Sequence, residues 1–227
     1  MCGSYSPRPV RTLLLPALIG CSTVHGVRPL GDNVVAIEIS EGGPVTEVFG
    51  GPVPIPLTTV GAAYGIDDLT DVHAAVHPTT IALFGLGAFD VGASRQLLAP
   101  KGLRPRLMAD LTVVSVFGDT DPKLDNGAFG LFAQPTLTAS WDWAKDGRHA
   151  LYTGLTAMVQ TLPERRVVGA VAVGNLWALS PKTHLATEVK WIAPYASSLS
   201  VVPDYYTPQG ALSLQFGLQA RFGGKAP

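Results

Sequence analysis

Apolar and polar residues alternate along most of this chain with a period of two, the spacing of a β-strand whose two faces meet different surroundings. The clearest run is 211–222. Leu212, Leu214, Phe216, Leu218, Ala220 and Phe222 fall on one side, and Ser213, Gln215, Gly217, Gln219 and Arg221 on the other. Nine further stretches carry strand signals: 34–40, 57–65, 71–77, 86–97, 106–117, 129–142, 149–160, 167–177 and 185–192. Several exceed the roughly 5–6 residues of a soluble strand and reach the roughly 9–11 that a tilted strand needs to cross a bilayer. No run of about 18 apolar residues exists that could cross as a helix.

Backbone polar groups in hydrocarbon must find partners within the protein, so many short spanning strands have to close on themselves. The pattern therefore predicts an all-β fold: a closed antiparallel up-and-down transmembrane β-barrel of about ten strands, or eight. The connections agree. Those at about 66–70, 98–105, 143–148 and 178–183 are short, and they alternate with longer or more polar ones at 41–56, 118–127, 161–166 and 193–209. An even strand count brings both chain ends to the short-turn side. Tyr64, Trp141, Trp143, Trp177 and Trp191 fall near strand ends, where interfacial aromatics are expected.

Three places resist the pattern. Pro135 interrupts the sixth strand, and a bulge there would reconcile it with a barrel that has no edge. Residues 167–177 have Val, Ala and Gly on both faces and declare no orientation. The apolar run Ile81-Ala82-Leu83-Phe84 either extends the fourth strand or folds into the barrel mouth.

Composition bounds the function. Of 227 residues, 47% are hydrophobic and only 15% charged, which fits apolar surface spread over many segments. The polar faces place Glu38, His73, His77, Asp90, Asp110, Gln134, Tyr152, Glu188, Lys190, Gln215, Gln219 and Arg221 in the lumen. An ion-pair network plugging a narrow barrel is favoured over a small polar pore. His73 and His77 would lie about 13 Å apart along a strand, too far for one metal ion. A protease at the barrel rim needs an acid–His pair, which the pattern does not place. Asp119-Thr120-Asp121 and Asp125-Asn126-Gly127 lack calcium-loop spacing and read as an outer loop of turn formers. No catalysis, metal or cofactor is expected.

The amino terminus has a basic flank, Arg8 and Arg11, and a short apolar core, Leu13 to Ile19, as an export signal does. It ends in Leu18-Ile19-Gly20-Cys21, which resembles the lipobox of bacterial lipoproteins. That resemblance implies removal of residues 1–20 and acylation of Cys21 by chains such as palmitate. It also implies a lipidated tether over 21–31, with the barrel at 32–223 and a tail at 224–227. An ordinary signal peptide is the alternative. Cys2 and Cys21 are the only cysteines, so no thiol pair is left for a disulfide.

The last strand, ending at Phe222, resembles the assembly signal of the outer-membrane β-barrel superfamily, and the resemblance in pattern covers about 32–222. It implies a Gram-negative outer membrane location with the lipid on the periplasmic side. The partners implied are outer-membrane lipid, the lipoprotein-processing and barrel-assembly machineries, and a small solute in the lumen. The processed chain would keep 14 basic and 17 acidic residues, which gives no reason to expect nucleic acid. Function then reads as an outer-membrane barrel lipoprotein of structural or narrow-pore type. The rival is a lipid-tethered soluble calycin-like barrel binding a small apolar ligand, whose apolar faces would point inward.

Overall fold

A computed structural model describes residues 26–48, 50–118, 128–144, 148–162, 165–198 and 207–223. In chain order these form β1 (Val34–Val48), β2 (Gly51–Pro54), β3 (Leu57–Gly65), β4 (Thr70–Val76), the helix α1 (Pro78–Phe84) and β5 (Leu86–Leu98). There follow β6 (Arg106–Gly118), β7 (Ala128–Asp142), β8 (Ala150–Leu162), β9 (Arg166–Ser180), β10 (Thr183–Ser197) and β11 (Gln209–Gly223). Apart from β2, each strand pairs antiparallel with the next in sequence, and β11 returns to β1 in a register running from Val34↔Gly223 to Pro44↔Ser213. This is a closed up-and-down barrel of ten strands, with β2 folded back on the far end of β1.

The two faces of each strand meet different surroundings. On β11, Leu214, Phe216 and Leu218 are 37%, 52% and 44% exposed, while Gln215 between them is 1% exposed. The same holds around the barrel: Ile37, Ile39, Phe89, Val91, Leu111, Leu155, Val173 and Val189 face out. A calycin-like barrel would have the reverse arrangement.

The strand ends that border the short connections, at Gly65 and Thr70, Leu98 and Arg106, Asp142 and Ala150, and Ser180 and Thr183, share one end of the barrel, here the short-turn mouth; the opposite strand ends form the loop mouth. In the first short connection the Asp67 carboxylate accepts the Leu69 N–H at 2.7 Å. That bond holds its carboxyl below the usual carboxylate range. Tyr64, Trp141, Trp143 and Trp177 line this end. Trp143 stacks on His149 at 5.1 Å between ring centroids and meets Trp177 edge-on at 5.7 Å.

Several local expectations are corrected. Residues 78–84 are a helix, because Pro78 fits a first-turn position and Gly85, at φ 68°, ends the turn in the left-handed region. The first strand continues to Val48 and is followed by β2, within what reads as a connection. Pro135 stays in register with Leu111, and the irregularity in the β7–β8 pairing lies at Leu131/Phe132 instead. β9 turns Val168, Ala170, Ala172 and Leu176 inward and Val167, Val171, Val173 and Trp177 outward. Residues 26–31, read as part of a tether, sit inside the short-turn mouth. Cys2, Cys21, the export signal, the 119–127 loop and the 224–227 tail lie outside the described residues.

Candidate functional site

The interior of the barrel holds the polar chemistry, and strand register decides which groups meet. Nearest the loop mouth, His77 follows the end of β4 and reaches diagonally to Asp90 on β5, with Nε2 2.8 Å from Oδ2. Its Nδ1 lies 3.3 Å from Thr59 Oγ1 on β3. The order hydroxyl, imidazole, carboxylate is that of a nucleophile relay. All three side chains are buried, and the cavity that Thr59 adjoins measures only about 60 Å³, no room for a peptide or ester substrate. The same geometry supplies the acid–His pair near a rim that the sequence pattern does not place.

Deeper in the barrel, the Thr112 hydroxyl on β6 donates to Asp110 Oδ1 at 2.8 Å, so its oxygen is left to accept from His73 Nε2 at 3.1 Å. His73 Nδ1 stands 3.7 Å from Asp110 Oδ2, which closes a three-residue cluster across β4 and β6. His73 can lie flat over β5 because Gly92 is there: a Cβ at that position would stand 2.4 Å from the imidazole Nε2.

Across the lumen, Tyr152 on β8 donates its hydroxyl to Glu188 Oε2 at 3.0 Å, and Lys190 Nζ stands 3.3 Å from Glu188 Oε1. Tyr152 spans the β9 wall over Gly174, where a Cβ would come within 2.3 Å of the ring. Such packing explains how a phenol and an ion pair fit in a ten-stranded lumen: part of the wall is bare backbone. Toward the short-turn mouth, Gln219 bridges two charges. Its amide donates to Glu38 Oε1 at 2.5 Å and its carbonyl accepts from Arg221 Nε at 2.6 Å. Gln215 donates to Ser213 at 3.1 Å, both fully buried.

Of the twelve residues read from the sequence as lumenal, none is exposed. His73, His77, Asp90, Asp110, Gln134, Tyr152, Glu188, Lys190 and Gln215 are buried, and Glu38, Gln219 and Arg221 half-buried. The structure brings most of them together as separate pairs and small clusters, not as one constellation, and leaves the Gln134 amide nitrogen outside them. Sequence reading missed Thr59, Asp71 and Thr112 as partners. Their inward parity was visible in the alternation, but pairing across strands needs a register the sequence does not state. Asp71 lies on the same parity as His73 and accepts the Leu30 N–H with both oxygens, at 3.0 and 3.2 Å.

Among the described residues no group of three or more His, Cys, Asp or Glu side chains is placed to hold a metal ion. No protein-family model matches the chain, and no curated protein does. Among solved structures the chain is similar to an outer-membrane channel from Pseudomonas putida F1, at 10% identity and a TM-score of 0.46, over 88% of this chain and 100% of that one. It is similar to the translocator domain of the autotransporter NalP from Neisseria meningitidis at 10% identity and TM-score 0.42, over 92% and 93% of the two chains. It is also similar to the outer-membrane protease OmpT from Escherichia coli at 13% identity and TM-score 0.37, over 88% and 100%.

Proposed function

We propose that this chain is an outer-membrane β-barrel lipoprotein of structural or narrow-pore type, with a packed polar lumen and an acyl anchor on Cys21. The observation that carries the reading is the sorting of its faces. Large apolar side chains point outward around the barrel, while carboxylates, imidazoles, Lys190 and Arg221 are paired inside. Soluble monomers rarely expose contiguous apolar patches beyond a few hundred Å², whereas hydrocarbon solvates such a belt without cost. The tryptophans at the short-turn end suit a headgroup boundary.

Packing in the lumen favours a scaffold over a wide channel. The cavity adjoining Glu38, Gln219 and Arg221 measures only about 60 Å³, space for a few waters and not for a hydrated solute. The Leu18-Ile19-Gly20-Cys21 sequence supports the anchor, and an even strand count agrees with a lipid on the short-turn, periplasmic side.

Boiled and unboiled samples on a detergent gel test the barrel: a shift in mobility is expected on boiling, and extraction by alkali without detergent would point to a soluble protein. Cys21→Ser should abolish labelling by a radioactive fatty acid; persistent labelling would remove the anchor. Planar bilayers should show no steady large conductance, and a stable open current would replace the scaffold with a channel.

A further inference from the structure

Residues 26–31, before β1, run across the short-turn mouth on the inside of the barrel. Gly26 packs so closely against β5 that a Cβ would stand 2.9 Å from Ser94 Cβ. Val27 is buried among Ala150, Tyr152 and Leu176, with Ala186 against them, and its carbonyl accepts from Ser140 Oγ at 3.2 Å. The Arg28 guanidinium holds Asp142 Oδ1 at 2.6 Å and the carbonyls of Arg148 and His149 at 3.1 and 3.0 Å, all at the β7–β8 turn. On the opposite side, Asp71 on β4 grips the Leu30 N–H with both oxygens. The segment thus touches β4, β5, β7, β8, β9 and β10, which makes it a strap from wall to wall and not a tail lying on one strand.

Above the strap lies the cavity of about 60 Å³, floored by Gly26, Val27 and Arg28 and walled by Glu38, Ser40, Thr59, His184, Gln219 and Arg221. Its polar walls suit water or a small polar solute, and the strap bars the short way in. We propose that residues 26–31 are a latch that closes the short-turn mouth and controls access to this chamber. The latch is fastened by Arg28 on Asp142 and by Asp71 on the Leu30 amide. Both fastenings are polar and lie at the barrel end; the Arg28–Asp142 pair is partly exposed, so water can compete for it more easily than for the pairs deeper in the lumen, whereas the Asp71–Leu30 bond is buried. Its apolar holds are Val27, packed with Ala150, Tyr152 and Leu176, and Leu30, packed with Val34, Ala36 and Ala63. A latch so built releases without disturbing a strand, because none of its bonds belongs to the barrel ladder.

This inference rests on the membrane-barrel reading, and its test separates the two. A Ser40→Cys protein, with the cysteine behind the strap, is reconstituted in vesicles and treated with a charged, membrane-impermeant methanethiosulfonate; the parent without Ser40→Cys gives the background. Slow modification is expected with the strap intact, and at least a tenfold faster rate when Arg28→Gln or Asp71→Asn is added. Either release variant suffices if the other fails to show the gel shift on boiling. Equal rates with and without release, slow or fast, in proteins that keep the gel shift would overturn the latch and leave the barrel standing. Loss of the shift in the Ser40→Cys protein and its parent alike would overturn the membrane reading and the latch with it.

Discussion

Val91→Arg puts a guanidinium on the outward face of β5, where the cost depends on what lies outside. Val91 is 48% exposed and stands in register between Ala74 on β4 and Val113 on β6. It lies seven residues from Leu98 at the short-turn end of β5. That is about 23 Å along the strand, or about 17 Å along the barrel axis at a tilt of about 40°. With an apolar band about 25 Å tall, the position falls near mid-membrane, where arginine costs ~2–4 kcal/mol. Leu97 is on the same face close to the mouth, where the cost falls to ~0–1 kcal/mol. Nature already places an arginine between them: Arg95 is exposed and donates to Thr70 Oγ1 at 3.0 Å, its long stem able to reach the headgroups. The assay is reversible urea unfolding in phosphatidylcholine vesicles, followed by tryptophan fluorescence. Val91→Arg should destabilise the barrel by ~2–4 kcal/mol and Leu97→Arg by under ~1 kcal/mol. Both at roughly ±0.5 kcal/mol, the range of ordinary surface substitutions in water, would refute a hydrocarbon exterior.

Removing one member of a buried ion pair is costly because the other is left uncompensated. Lys190→Met should therefore lose ~3–5 kcal/mol, and adding Glu188→Gln should recover much of it in the same unfolding assay. Gly174→Ala pushes a methyl into the Tyr152 ring and should cost ~1–3 kcal/mol, with partial recovery when Tyr152 is trimmed to Leu. Thr112→Val removes the hydroxyl that joins His73 to Asp110 and should cost ~1–3 kcal/mol; no change on thermal unfolding would mean that water replaces it.

The barrel was legible because its outside and its lumen impose opposite demands on neighbouring residues, so nearly every strand wrote its two faces into the sequence. β9 shows where that fails: its inner face carries Val168, Ala170, Ala172 and Gly174, the last making room for Tyr152, and these small residues resemble those of its outer face. The helix α1 was hidden because Ile81 to Phe84 is a short apolar run, in which helix and strand look alike. Only Pro78 at its start and Gly85 just past its end mark its limits. The strap was not legible at all. Val27 and Arg28 sit in a segment without periodicity, and their partners, from Ser140 to Leu176, are set by closure of the whole barrel. The interior pairs stand between these cases: parity gave each residue's side, and the stagger between strands decided its companion.

The seam between β1 and β11 has a bearing on how the molecule is made. Glu38 and Gln219, hydrogen-bonded across it, are 181 positions apart. Until the final strand is available, β1 has one edge with nothing to pair with, and the nascent sheet is an open ribbon with two sticky borders. Contacts so distant in sequence form slowly. The chain therefore has to be kept from premature association until the barrel closes, and the fifteen residues of Gln209–Gly223 act as the zipper that completes it.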